Sequence, residues 1–247
     1  LQDVQNIYET NAFRPIIAQV ELLSGKVWGQ DREIDRAIRV VAEHARSASF
    51  LIGDGVIPGN SGRGYVLRRL IRRGMLFGRD LGMEAPMLSA VAETVADNIG
   101  HVYNELNENL DFIRDVLERE ENSFSRTLAF GASVLSGMIE CRSSAPDAAQ
   151  RITDGKTLKK PSGDDGHSVG VRLALAEIER LTDAADSDAT DNWRNTISGA
   201  EAFILYDTYG YPIEVTEEVS VNAGLSIDRD GFAEMMDTQR ERGRAAG

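Results

Sequence analysis

Apolar positions along this chain recur mainly at helical spacing. Ile34, Ile38, Val41, Ala45, Ala48 and Ile52 follow one another at three- and four-residue steps, which places them on one stripe of a helix. The stripe stops at Gly53-Asp54-Gly55, a helix end and turn. After the loop Pro58-Gly59-Asn60-Ser61-Gly62, a second helix is predicted from about Gly64 to Leu76. Leu110, Ile113, Leu117, Phe124, Leu128, Val134, Leu135 and Met138 are spaced for a long amphipathic helix, and some thirty residues of it would span roughly 45 Å. Glu105, Glu108, Asp111, Asp115, Glu118, Glu120 and Glu121 are expected to form its solvated acidic face.

From Ser143 to about Asn195 small and acidic residues dominate, and Lys159-Lys160-Pro161-Ser162-Gly163 reads as open loop. Val171, Leu175, Ile178 and Leu181 allow one helix within that stretch. Beyond it, Ala202 to Tyr206 predicts a short buried helix ending near Gly210. Pro212 opens the next helix, which runs to Ala223 with Gly224 as its stop. Asp228 caps a last helix through Arg242, and Leu225 to Ile227 form a short extended piece. The fold class expected is therefore mainly all-α, multihelical, with at most a short extended hairpin element near Leu225. The expected division is a first helical subregion at 1–82, a second at 86–140 plus 196–247, and a partly flexible surface insertion at 141–195.

Composition narrows the function classes. The 247 residues include 27 basic and 40 acidic side chains, a formal net charge of -13, which argues against a generally polybasic binder. A local basic patch remains possible. The single cysteine, Cys141, rules out an internal disulfide and a cysteine-based zinc site, and the three histidines His44, His101 and His167 lie far apart. No metal site is expected. The lone cysteine points to a reducing, cytoplasmic setting, and no apolar run reaches the roughly 20 residues that span a bilayer, so no membrane partner is expected. The chain begins with Leu1 rather than Met, which suggests an excised fragment.

The charge clusters in the second helix. Arg63, Arg68, Arg69, Arg72, Arg73 and Arg79 fall close together, and no acid occurs between Asp54 and Asp80. At about 100° per residue, Arg68, Arg69, Arg72 and Arg73 share an arc of roughly 140°, with Val66, Leu67, Leu70, Ile71 and Met75 on the other side. Such a face is tolerable if solvated, paired with acids from elsewhere, or set against phosphates. Arginine throughout favours phosphate, because its planar fork binds two oxygens. The neighbouring loop adds glycines for close approach and the amide of Asn60.

Three blocks of sequence resemble the alanyl-tRNA synthetase family. The first runs from Ala42 to Arg73 and includes Glu43-His44-Ala45-Arg46-Ser47, Asp54-Gly55-Val56 and Arg63-Gly64-Tyr65-Val66-Leu67-Arg68-Arg69. The second is Leu205-Tyr206-Asp207-Thr208-Tyr209-Gly210-Tyr211-Pro212. The third runs from Asp230-Gly231-Phe232-Ala233 to Gln239-Arg240-Glu241-Arg242. The resemblance places Leu1-Gln2 just past the class II catalytic core. The editing domain, with its histidine and cysteine metal ligands, would follow the last helix. It implies that this fragment is a tRNA-recognition region with no catalytic residues, inactive and monomeric on its own. The full-length parent, an alanine–tRNA ligase, would use ATP with Mg and carry zinc.

The family reads a G·U wobble pair in the acceptor stem with an asparagine before the arginine helix and an aspartate in the Leu-Tyr-Asp-Thr block. Carried over, these are Asn60 and Asp207, with Arg63, Arg68, Arg69, Arg72 and Arg73 as the further tRNA-binding residues. The chemistry is coherent. The shallow minor groove of A-form RNA admits side chains, and guanine presents a 2-amino donor there. Ionised aspartate only accepts, whereas asparagine both donates and accepts. The arginines would hold flanking phosphates and set the register. Where the family has Pro-Ser-Asn this chain has Pro58-Gly59-Asn60, and the glycine could loosen the loop. His44 and Arg46 match the family and are expected to be structural, bridging their helix to its neighbours. The competing reading is a helical protein–protein scaffold whose arginines pair internally. A self-contained enzyme has no phosphate loop, no nucleophile–base pair and no metal constellation to support it.

Overall fold

The computed structural model describes Val4 and residues 6–144, 160–184 and 192–245. Residues 145–159 and 185–191, which belong to the expected flexible insertion, and Leu1-Gln2 lie outside the described residues. The chain forms two compact units, Leu1–Ser125 and Arg126–Gly247. The break falls inside one helix, whereas the sequence pattern grouped 86–140 with 196–247.

The first unit contains a 3-10 turn at Ile7–Glu9, then α1 (Arg14–Ser24), α2 (Arg32–Gly53), α3 (Gly62–Asp80), α4 (Leu88–Ile99), α5 (Asn104–Glu108) and the first part of α6 (Leu110–Ser144). Asp31 starts α2 by accepting from the N–H groups of Glu33 and Ile34. The predicted stripe is its buried face: Ile38, Val41, Ala45, Ala48 and Ile52 are fully buried. Asp54 and Gly55 end it, with Gly55 at φ 82. On α3, Leu67, Ile71, Gly74, Met75 and Gly78 are buried, an arc of roughly 100°. Two glycines allow close packing there, since a Cβ on Gly74 would meet Leu88 at 3.3 Å and one on Gly78 would overlap the Met87 sulfur. Val66, expected on the apolar side, is 52% exposed because it falls at the border of the arginine arc.

The acidic face of α6 needs correction. Glu120 is 7% exposed and Glu121 is fully buried. Both continue the stripe of Ile113, Val116, Leu117 and Phe124, and both have partners that offset the loss of water. Glu121 accepts from the N–H groups of Met87 (2.9 Å) and Leu88 (3.1 Å), so it caps α4 from another helix. Burial outweighs those bonds and raises the Glu121 pKa above the ordinary carboxylate range.

The second unit contains the rest of α6, then α7 (Gly166–Asp183), β1 (Thr196–Ile197), α8 (Gly199–Asp207), α9 (Ile213–Asn222), β2 (Ser226–Ile227) and α10 (Arg229–Ala245). The helix expected within the insertion is α7, capped by Asp165, with Leu175, Ile178 and Leu181 buried. It crosses α6 backbone to backbone, because a Cβ on Gly170 would lie 1.9 Å from the Val134 carbonyl oxygen and one on Gly137 2.1 Å from that of His167. Ser198 and Glu201 form a capping box on α8. The extended piece near Leu225 pairs in parallel with β1, Thr196 to Ser226 and Ile197 to Ile227, rather than as a hairpin. Two helices lie between the strands, which is the connection parallel pairing needs. Among the described residues the structure is ten α-helices and this short ladder, which bears out the mainly all-α expectation.

Candidate nucleic-acid interface

In the first unit the loop before α3 lies flat against the helix's first turn. The Gly59 N–H donates to the Gly64 carbonyl at 3.0 Å. That approach requires glycine at 64, since a Cβ there would lie 2.6 Å from the Ile57 carbonyl oxygen. Gly59 itself would tolerate a side chain, its nearest neighbour being 3.8 Å from an added Cβ. The loop is thus pinned at Gly59 rather than loosened by it. Ser61 makes no side-chain capping bond and the first turn of α3 has no acid, so the positive end of the helix is uncompensated by its own sequence.

The arginines divide into two sets. Arg68 and Arg72 are half-buried, and both give their Nε–H to Glu120 on α6, at 3.3 and 2.8 Å. The Arg72 guanidinium also sits over the Phe124 ring, 4.9 Å from its centroid. Arg68 turns its Nη1 to the side-chain oxygen of Asn60 and its Nη2 to the Pro58 carbonyl at 3.4 Å. Arg63, Arg69 and Arg73 are exposed. Arg73 lies over Phe77 at 5.6 Å, and Arg63 and Arg69 make no ion pair among the described residues. Helical position explains the split. Arg68 and Arg72 border the buried arc on the side from which they reach α6, whereas Arg69 and Arg73 lie roughly 100° farther round. Of the four arginines expected to face phosphate, Arg68 and Arg72 thus hold internal partners in this structure, whereas Arg69 and Arg73 do not share them. Beneath the loop is a hollow of about 250 Å³, lined by Ile57, Pro58, Phe112, Val116, Arg119 and Glu120.

His44 and Arg46 tie α2 to its neighbours. The Arg46 guanidinium lies between Phe13 (5.3 Å) and Phe50 (5.0 Å). His44 touches the Gly74 position, and burial followed by the charge of Arg73 lowers its pKa.

In the second unit, Asp207 is the last residue of α8 and is exposed. The residues around it are anchored. Leu205 is fully buried, and Tyr211 is 1% exposed with its ring where a Cβ on Gly131 would stand. Tyr209 packs on Phe130, centroids 5.6 Å apart, and Tyr206 meets Phe232 edge-on at 5.7 Å. Asp207 and Thr208 are left at the surface. The Asp207 carboxylate accepts from the side-chain amide of Gln239 on α10. A carboxylate at a helix C-terminus opposes the helix dipole, and a neutral amide compensates it only in part. Asn60 and Asp207 belong to different compact units.

Sequence reasoning missed Glu120, which organises half of the arginine face. It also missed Arg142 and Glu201, a buried pair in which each side chain is 1% exposed. The only signal for the glutamates was their place in the helical period. Among the described residues no group of three His, Cys, Asp or Glu side chains could hold a metal ion, and no helix is long and apolar enough to cross a membrane.

Comparison with known proteins follows the same blocks. A family model described as tRNA synthetases class II (A) matches residues 1–154 and 175–247, so only 155–174 of the expected insertion fall outside it. An alanine–tRNA ligase of Dehalococcoides mccartyi is 38% identical over 246 residues, which is 100% of this chain and 22% of that protein. An alanine–tRNA ligase of Streptococcus pneumoniae is 37% identical over 246 residues, again 100% of this chain and 23% of that protein. The chain thus spans less than a quarter of the length of these relatives.

Proposed function

Since the chain belongs to the alanyl-tRNA synthetase family, we propose that it is the part of an alanine–tRNA ligase that recognises the acceptor stem of tRNA-Ala through its G·U wobble pair. The observation that carries this reading is α3, where Asn60 and the exposed Arg63 stand at an N-terminus that its own sequence leaves uncompensated and the exposed Arg69 and Arg73 continue along the same helix. Those three arginines hold phosphates and set the register, and Asn60 meets the base pair. Asp207, an acceptor placed where its own helix disfavours it, takes the guanine 2-amino group after exchanging its bond from Gln239. Catalysis, with ATP and Mg, and any zinc are assigned to the whole ligase. Among the described residues no group of three His, Cys, Asp or Glu side chains is placed to hold a metal ion. The fragment is proposed to be cytoplasmic, monomeric and inactive in aminoacylation.

The paired Arg68 and Arg72 support the other reading, a scaffold with internally satisfied arginines, for those two residues only. Titration of acceptor-stem minihelices carrying G·U or G·C separates the two. Recognition predicts a G·U preference that Asn60→Ala or Asp207→Ala abolishes, with most salt-sensitive binding retained. Equal affinity of the unmodified chain for both minihelices contradicts it.

A further inference from the structure

We infer that Glu120 is a positioning residue for Asn60, acting through Arg68; the inference rests on the RNA-reading role proposed for Asn60. The observations form a chain. Glu120 is 7% exposed and accepts from Arg68 Nε at 3.3 Å and Arg72 Nε at 2.8 Å. Arg68 uses its remaining fork on the loop, with Nη2 to the Pro58 carbonyl at 3.4 Å and Nη1 to Asn60 Oδ1. A guanidinium has only donors, so the atom of Asn60 facing it must be the oxygen. The amide nitrogen, with both its hydrogens, is the end left toward solvent. Asn60 therefore meets RNA as a donor and selects for an acceptor on the base pair. Without the Glu120 charge, Arg68 and Arg72 sit one turn apart as like charges at the edge of the core, and each gains by turning outward. Arg68 then releases Asn60, whose amide is free to flip.

Glu120 touches no RNA in this scheme, and the test must separate orientation from stability. The 247-residue chain and its Glu120→Gln, Arg68→Lys, Asn60→Ala and Glu120→Gln/Asn60→Ala variants are titrated with acceptor-stem minihelices carrying G·U or G·C. Glu120→Gln and Arg68→Lys are expected to lower the G·U preference about tenfold, within the range one well-placed base contact supplies. The double variant loses no more preference than Asn60→Ala alone. A purely structural Glu120 would weaken both minihelices in parallel, leave the ratio intact and overturn the proposal. If Asn60→Ala itself keeps the ratio, the reading of Asn60 fails. If only Asn60→Ala changes the ratio, positioning by Glu120 fails and that reading stands. A measurement on the unmodified chain needs no variant to fold. The Nη protons of Arg68 should give separate, slowly exchanging NMR signals while those of Arg69 average. Averaged Arg68 signals overturn the proposal.

Discussion

Replacing Glu201 by alanine tests the buried pair of the second unit. Arg142 is held by four acceptors: the Trp193 carbonyl at 2.9 Å, the Met138 carbonyl at 3.1 Å, the Thr196 carbonyl at 3.3 Å and the Glu201 carboxylate. Its guanidinium also lies over the Trp193 ring at 4.7 Å. Glu201 bonds it directly, Glu177 acts on both charges through space, and the Arg142 and Glu201 side chains are each 1% exposed. Glu201→Ala leaves a cation out of reach of water without its bonded carboxylate, with only the through-space charge of Glu177 in partial compensation. Breaking such a pair from one side costs about 3–5 kcal/mol. It also removes the Glu201 half of the capping box, whose bond to the Ser198 N–H is 3.0 Å. With a urea slope of about 2 kcal/mol/M, the midpoint should fall by roughly 2 M. Equilibrium urea unfolding followed by the fluorescence of Trp193, with Trp28 of the first unit replaced by phenylalanine, reads this unit directly. Arg142→Met/Glu201→Leu, which removes both charges, should recover most of the loss, because a buried pair and an apolar pair of similar volume are close in stability. A Glu201→Ala cost below about 1 kcal/mol, or a double variant less stable than the single one, refutes the assignment of a desolvated, mutually dependent pair.

Glu121 gives a pH signature. Its folded-state pKa is raised by burial, so the protonated form is favoured in the folded chain. Its stabilising contribution is complete below the ordinary glutamate pKa and is lost as pH rises through the folded value. The stability of the unmodified chain minus that of Glu121→Gln should therefore be greatest in acid and decline toward neutral pH; a difference that grows with pH contradicts the buried placement. In a separate test of the arginine split, Arg69→Ala should lower the salt dependence of minihelix binding by about one phosphate contact without changing the melting temperature. Arg72→Ala should lower the melting temperature, through loss of the Glu120 bond and the Phe124 contact, with a smaller change in salt slope. Equal behaviour of the two variants would remove the distinction between exposed and clasped arginines.

Helices that begin and end on local signals were legible. Gly55, Pro212 and Gly224 mark boundaries that the structure keeps. α4 was missed although Leu88, Val91, Ala92, Val95 and Ala96 carry a helical period, because its start signal is remote: Glu121, not a neighbouring residue, satisfies its first N–H groups. Glu120 and Glu121 were misplaced for the opposite reason. Their period put them on the buried stripe, but their charge outweighed it, and nothing local announces that Arg68, Arg72 and a helix N-terminus will meet them. The α6–α7 crossing is similar, since Gly137 and Gly170 have no meaning until two backbones approach. At the candidate site, the clustering of Asn60 with arginines was visible in sequence order. The division of those arginines was not, because it depends on which edge of α3 borders α6.

The central claim is that this chain reads one base pair in an acceptor stem, and a single titration addresses it. Fluorescence anisotropy at fixed salt, with minihelices that differ only by G·U or G·C, should give the unmodified chain a preference for G·U. Asn60→Ala and Asp207→Ala should each cost about 1–3 kcal/mol of that preference while binding to G·C is little changed. Full discrimination in both variants, or none in the unmodified chain, would contradict the account.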